Sequence, residues 1–326
     1  MKKRALITCT LFALMLLAGC GKSEEVTTLL MSDVQEGEHP TAIACDKFAS
    51  MVKDKTKGRV NIEVYHGDTL GSEGEQLTQV TVGGIDFARI SGQVSSYESR
   101  LSAFQSLYLF DSEEDMWKVL HGSKGDELLE SSALQDSNIL GLAWFSGGSR
   151  NFYNNQKEIH TPADLNGLNI RVNTDPMIKF LENAGATPKN IAYNDIYDSI
   201  NSGVIDGAEN NWPSYISTDH YKAAKYITID QHTCIPEMLL VSKSAFEALD
   251  AKDQKIVKEC AEKVAKDQIQ AMKDYEGKAI KTAKKAGCVI TELTEDESRQ
   301  FRDAGQIVNE DVCAGQMDTI QWLTGK

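Results

Sequence analysis

Apolar residues at helical spacing alternate along this chain with short stretches in which every second residue is apolar. Within residues 41–55, Ile43, Cys45, Phe48, Met51 and Val52 fall at helical spacing, and Gly58 follows as a stop. Val60-Asn61-Ile62-Glu63-Val64-Tyr65 then alternates with period two, the mark of a strand. Residues 75–82 predict a helix closed by Gly83-Gly84, and residues 85–90 predict the next strand. Thr161-Pro162-Ala163-Asp164 opens a helical turn with an N-cap Thr and a Pro at the first helical position. A strand is expected at 168–172, helices at 175–184 and 194–202 ended by Gly185 and Gly203, and extended chain at 204–208. Ile256, Cys260, Val264, Ile269 and Met272 mark one long amphipathic helix across 250–286. Thr294-Glu295-Asp296-Glu297 is a capping box that predicts a last helix running to about Trp322. No internal repeat is visible in the residues. The alternation predicts an α/β fold with mainly parallel sheets, whose ligands collect at the carboxyl ends of the strands.

Composition narrows the function. The chain has 326 residues, 41% hydrophobic and 25% charged, enough for an ordinary core. Acidic residues number 48 against 34 basic, a net charge of −14, which excludes nucleic acid as a partner held by phosphate contacts. Met1-Lys2-Lys3-Arg4 is a basic start, and Ala5 to Leu17 is an apolar run too short to span a bilayer. It ends in Leu17-Ala18-Gly19-Cys20, which resembles a bacterial lipobox. Residues 1–19 are thus expected to be a lipoprotein signal peptide, with Cys20 lipidated and residues 20–28 a tether to the membrane. The competing reading is an ordinary signal peptide whose cysteine is incidental. Cleavage removes three positive charges, leaving a mature charge of −17. Five further cysteines (45, 234, 260, 288 and 313) show no CxxC pair or zinc-ligand rhythm and are expected to be structural or inert.

Catalytic signatures are missing from the sequence: it has no HExxH, GxSxG, GxxxxGK[ST] or strand-borne GxGxxG. The six histidines include no pair at metal-ligand spacing, so neither metal nor cofactor is expected. His232 and Cys234, at i and i+2, are the closest approach to a nucleophile pair.

Three segments carry a resemblance. They are Gly147-Gly148-Ser149-Arg150-Asn151-Phe152-Tyr153, Pro162-Ala163-Asp164-Leu165-Asn166-Gly167-Leu168-Asn169-Ile170-Arg171-Val172, and Gly203-Val204-Ile205-Asp206-Gly207-Ala208-Glu209-Asn210-Asn211. Together with Val64 to Gly71, Gly83 to Asp86 and His232 to Leu240, they resemble the solute receptors of tripartite ATP-independent periplasmic (TRAP) transporters, dicarboxylate-binding-protein type. The likeness runs from residue 27 to about 310. It implies a two-lobed periplasmic-binding-protein-like clamshell with a long lobe-spanning helix. Lobe I is expected at 29–148 plus about 236–276, and lobe II with the C-terminal helix at 149–235 plus about 277–326. It implies a non-enzymatic receptor on the outer face of the cell membrane or in the periplasm, passing a small organic acid to TRAP permease subunits. In this family the arginine of the Ile-Arg-Val strand, here Arg171, binds the substrate carboxylate, and Arg150 and Asn210 also face the ligand.

The chemistry of the residues agrees. A guanidinium fork matches a carboxylate bidentately where a lysine cannot, and Arg171 sits between Ile170 and Val172 in an apolar strand. Further candidates each have a structural alternative: Arg89 as a salt bridge, Glu36 and His39 as helix caps, Trp212 and Trp144 as core. Glu237 is a candidate acceptor for ligand hydroxyls. The sequence looks most like the sugar-acid branch, so a hexuronate such as glucuronate or galacturonate is the first expectation, with C4-dicarboxylates, other hydroxy acids and keto acids as the alternatives. Two rival readings are an ABC-type solute-binding lipoprotein and a surface-anchored hydrolase of acidic sugars.

Overall fold

The computed structural model describes residues 26–325; the expected signal peptide and the expected lipidation site Cys20 lie outside them. Strand β1 (Thr27–Asp33) turns Leu29 and Met31 under helix α1 (Pro40–Lys55), which buries Cys45, Phe48 and Val52 in the same cluster. Ile43 departs from the expected face and is 53% exposed. β2 (Val60–His66) pairs with β1 in parallel, and α2 (Glu73–Val82) leads back to β3 (Phe87–Ile90) on the other side of β1. Helices α3 (Glu113–Leu120), α4 (Ser123–Leu129) and α5 (Ser132–Asp136) lead to the long strand β4 (Ile139–Asn154). A second α/β half follows with β5 (Asn169–Arg171), α6 (Asp175–Asn183), β6 (Thr187–Lys189), α7 (Ile196–Asn201) and β7 (Gly207–Asn210). Next come α8 (Trp212–Ser217), α9 (His220–Ala223), the return strand β8 (Tyr226–Ser242), α10 (Lys243–Ala248) and α11 (Ala251–Lys285). β9 (Val289–Glu292), α12 (Glu295–Val312) and α13 (Met317–Thr324) close the chain.

The strand order is β2-β1-β3-β8-β4-β7-β5-β6, with β9 beside β8. The expectation of mainly parallel pairing holds within each half and fails at the centre. There β4 and β8 pair antiparallel along nearly their whole lengths. The reason is connectivity: parallel neighbours need crossover helices, whereas these two strands each run through both halves and return beside one another. Their register breaks between Ser146 and Ser149, at Gly147-Gly148. Gly148 has φ +67°, and a Cβ on Gly147 would meet the Ile235 carbonyl at 2.4 Å, so this bulge requires glycine.

The halves repeat each other, although the residues gave no sign of it. β1-α1-β2-α2-β3 and β5-α6-β6-α7-β7 share the local order 2-1-3. In each, one aspartate clamps the first strand: Asp86 Oδ2 accepts from Leu30 N at 2.7 Å, and Asp206 Oδ2 accepts from Asn169 N at 2.7 Å. Three residues beyond each aspartate stand Arg89 and Glu209, buried charges of opposite sign.

Four apolar clusters result, two around each half. The long helix arrives as expected. At 35 residues it is about 52 Å long, and it gives Val257, Cys260 and Val264 to the α1 cluster and Ala279 and Ala283 to a cluster of the other half. The expected single helix from 294 to about 322 is instead two. α12 stops at Val312, and α13 turns Leu323 into the first-half cluster around Leu101 and Phe104. This separates the last helix from the second lobe in which it was expected. Cys313 sits at the break, buried, where its sulfur accepts the Ser106 hydroxyl at 3.3 Å. Among the described residues, no helix is long and apolar enough to cross a membrane.

Candidate functional site

Between the halves lies a cavity of about 290 Å³, walled by loops that leave the carboxyl ends of the parallel strands. β5, three residues long and held between β6 and β7, delivers Arg171 to it. Arg171 is 5% exposed, and its Nε donates to the Ile191 carbonyl at 2.9 Å. Among the described residues no carboxylate lies within ion-pair distance of it. Burial pulls its guanidinium below the ordinary range, with the Glu209 charge opposing from a distance.

The other two cleft arginines are paired. Arg150 follows the Gly147-Gly148 bulge on β4, and its Nε binds Glu209 in a short ion pair. Its Nη2 donates to Glu209 Oε1 at 2.9 Å and its Nη1 to Asn210 Oδ1 at 3.0 Å. Glu209 also accepts from His232 Nε2 at 3.2 Å, and His232 Nδ1 donates to Asp230 at 2.7 Å. Burial works against the charge on Glu209, but Arg150 and His232 hold it at about 2. Burial also disfavours the imidazolium of His232, yet Asp230 and Glu209 raise it to about 9. Both nitrogens of His232 are therefore occupied. Cys234 lies against Ser149 Oγ at 3.1 Å, with its thiol pushed by burial to about 12. The two do not form a nucleophile pair.

On the opposite wall, β3 supplies Arg89, 1% exposed and bound to Asp33 Oδ1 at 2.6 Å, Glu73 at 3.1 Å and Glu237 at 3.2 Å. Arg89 is thus both a structural ion cluster and part of the cavity wall. Burial raises Glu237 to about 7 against the pull of Arg89, and its Oε2 is buried without a hydrogen-bond partner among the described residues.

Of the residues singled out from sequence, Arg171, Arg150, Asn210, Arg89 and Glu237 meet in this cavity. His39, Glu36 and Trp212 do not line it. His39 caps α1, its Nδ1 accepting from Thr41 N at 3.1 Å. Glu36 is exposed beside a separate groove with Tyr193 and Tyr197. Trp212 is core with Tyr215, and Trp144 is core in the first half. Sequence reasoning missed Gln35, Glu73, Gln93, Asn173 and Tyr193, all of which line the cavity. Tyr193 donates across the cleft to Gln35 Oε1 at 2.8 Å. Gln35, Asn173 and Tyr193 lie just beyond β1, β5 and β6, so the carboxyl-end rule applied strand by strand is the signal that finds them. Among the described residues, no cluster of three or more His, Cys, Asp or Glu is arranged to hold a metal ion.

A site of this kind can hold an anion by its carboxylate and hydroxyls by surrounding polar groups. Known proteins share the architecture. The model of the bacterial extracellular solute-binding proteins, family 7, matches residues 31–316. A solute-binding protein of Chromohalobacter salexigens is 34% identical over 275 residues, 82% of this chain and 81% of that protein. A TRAP periplasmic solute-binding protein from Sulfitobacter sp. NAS-14.1 with bound β-D-galacturonate superposes with a TM-score of 0.87 at 30% identity, covering 92% of this chain and 100% of that one. One from Roseobacter denitrificans with bound β-D-glucuronate gives 0.85 at 29%, covering 91% and 99%. With the two-lobed fold, the cleft and these likenesses in agreement, the chain belongs to the extracellular solute-binding proteins of family 7, the TRAP receptor family that its sequence resembles.

Proposed function

We propose that the protein captures a hexuronate in its cleft and hands it to a TRAP membrane permease without altering it chemically. The observation that carries the reading is Arg171. A buried guanidinium with no carboxylate partner costs several kcal/mol, and a ligand carboxylate in the cavity supplies the missing partner. Arg150, already clamped by Glu209, and Asn210 orient the same group. The opposite wall argues for hydroxyls over a second carboxylate: Glu73 and Glu237 repel a dicarboxylate's far end but accept hydrogen bonds from a sugar ring. The uronates bound by the structural relatives support the same class.

Delivery requires two lobes that close on the ligand. In this reading lobe I comprises 29–148, about 236–276 and the terminal helix, and lobe II the rest. Acylation of Cys20 holds the receptor at the outer face of the membrane, and Cys20→Ser releases it to the soluble fraction. The reading is tested by melting the protein with glucuronate, galacturonate and succinate. A cognate acid at 100 times its Kd stabilises by about 2.7 kcal/mol, a rise of roughly 4 °C for a chain of this length. Stabilisation by succinate but by neither uronate would overturn it.

A further inference from the structure

A second cavity of about 270 Å³ abuts the first, of about 290 Å³. Ser91, Gln93, Arg150, Asn173 and Glu237 line both. Beyond this shared wall the second cavity is bounded by Ser95, Ser96, Gln105, Thr174 and Asp175. It lies at the mouth of the cleft, where Gln93, Ser96, Asn173 and Asp175 are exposed, while the cleft beneath is covered. Tyr193 already reaches across the cleft to Gln35 at 2.8 Å, and Arg171 is almost wholly covered. A sugar acid seated on Arg171 uses one cavity and leaves a neighbour of nearly equal volume.

The walls say what belongs there. Hydroxyls and amides dominate, the marks of a site for a hydroxylated group. Its carboxylates are Asp175 and Glu237, and its one cation, Arg150, is held by Glu209. A negative charge is unwelcome in such a space. Glu237 lines both cavities at their boundary, where a carboxyl group faces the position of a glycosidic bond.

We propose that the receptor accepts a hexuronic acid carrying a neutral sugar substituent, an aldobiouronic acid, with the uronate carboxylate on Arg171 and the neutral ring in the second cavity. This rests on the hexuronate reading above and extends it to a disaccharide. The test is titration calorimetry on the purified protein with glucuronate, glucuronosyl-xylose and digalacturonate. Glucuronosyl-xylose is expected to bind at least threefold tighter than glucuronate, and digalacturonate at least tenfold weaker than glucuronosyl-xylose. Ser96→Trp fills the second cavity from a residue that does not line the first. It should weaken the disaccharide at least tenfold and glucuronate less than twofold, so retained glucuronate binding reports that the variant folds. Asp175→Asn should narrow the penalty on digalacturonate. Tight glucuronate with no disaccharide binding, or equal losses for both acids in Ser96→Trp, overturns the inference and leaves the hexuronate reading standing. Binding of none of the three acids overturns both.

Discussion

Arg171 separates a functional arginine from a structural one, because the two predict opposite changes in stability. Its guanidinium is 5% exposed, makes one hydrogen bond to the Ile191 carbonyl, and has no acidic partner among the described residues. In the free protein the buried charge is therefore a cost, several kcal/mol even after relaxation and water entry. In the proposed complex it is the main contact, since a charge-assisted hydrogen bond contributes about 1.5–3 kcal/mol. Arg171→Lys keeps the charge but loses the fork, and affinity should fall at least tenfold, about 1.4 kcal/mol. Arg171→Met removes the charge and leaves the Ile191 carbonyl unpaired, at roughly 1–3 kcal/mol. The free Met variant should then melt at or above the wild-type temperature while its response to ligand disappears. Calorimetric titration with glucuronate and a melt of each free variant provide both numbers. A Met variant that melts several degrees lower, alongside a Lys variant that binds normally, would make Arg171 structural and refute the assignment.

Three further outcomes follow from neighbouring groups. Arg89→Met strips the partner from Asp33, Glu73 and Glu237 at once, so the free protein should lose about 3–5 kcal/mol; a melt unchanged within a degree would contradict this. His232 is raised from 6.5 to about 9, so its contribution is fully present below pH 6.5 and lost as pH rises through 9. The melting gap between wild type and His232→Gln should accordingly close over that window, and a gap constant from pH 6 to 9.5 would show that His232 stays neutral. Tyr193→Phe removes the bond to Gln35, worth about 0.5–1.5 kcal/mol, which should weaken ligand binding by up to about tenfold and enlarge the radius of gyration of the free protein in small-angle scattering. An unchanged radius would mean that this bond does not hold the lobes together.

What was legible in the sequence was local. Periodicity placed α1, β2 and α11 to within a residue or two, because burying one face of a helix or strand leaves its period in the residues. Capping chemistry likewise located the starts at Thr161 and Thr294. β4 and β8 were not read as long strands. Much of β8 is buried on both faces, and a continuous apolar run has no alternation to detect. The break after α12 was also invisible, since the helical pattern continues into α13 while the partner surface changes from the second half to the first. His39 and Trp212 looked chemically suitable for a ligand, and the fold used one as a cap and the other as core.

The family and the α/β alternation are legible in the order of the residues, because they depend on motifs and on short-range periodicity. Only the tertiary structure decided which charges remain unpaired. Arg89 and Arg171 each stand between apolar neighbours and Arg150 between Ser149 and Asn151, and nothing local shows which of them is paired. Asp33, Glu73, Glu237 and Glu209 come from other elements, and the pairing of β3 with β1 and β8 and of β4 with β7 helps bring them against two of the three arginines. The third is left facing the cavity. A charge's partner is a matter of distance in space, which a linear order of residues does not contain.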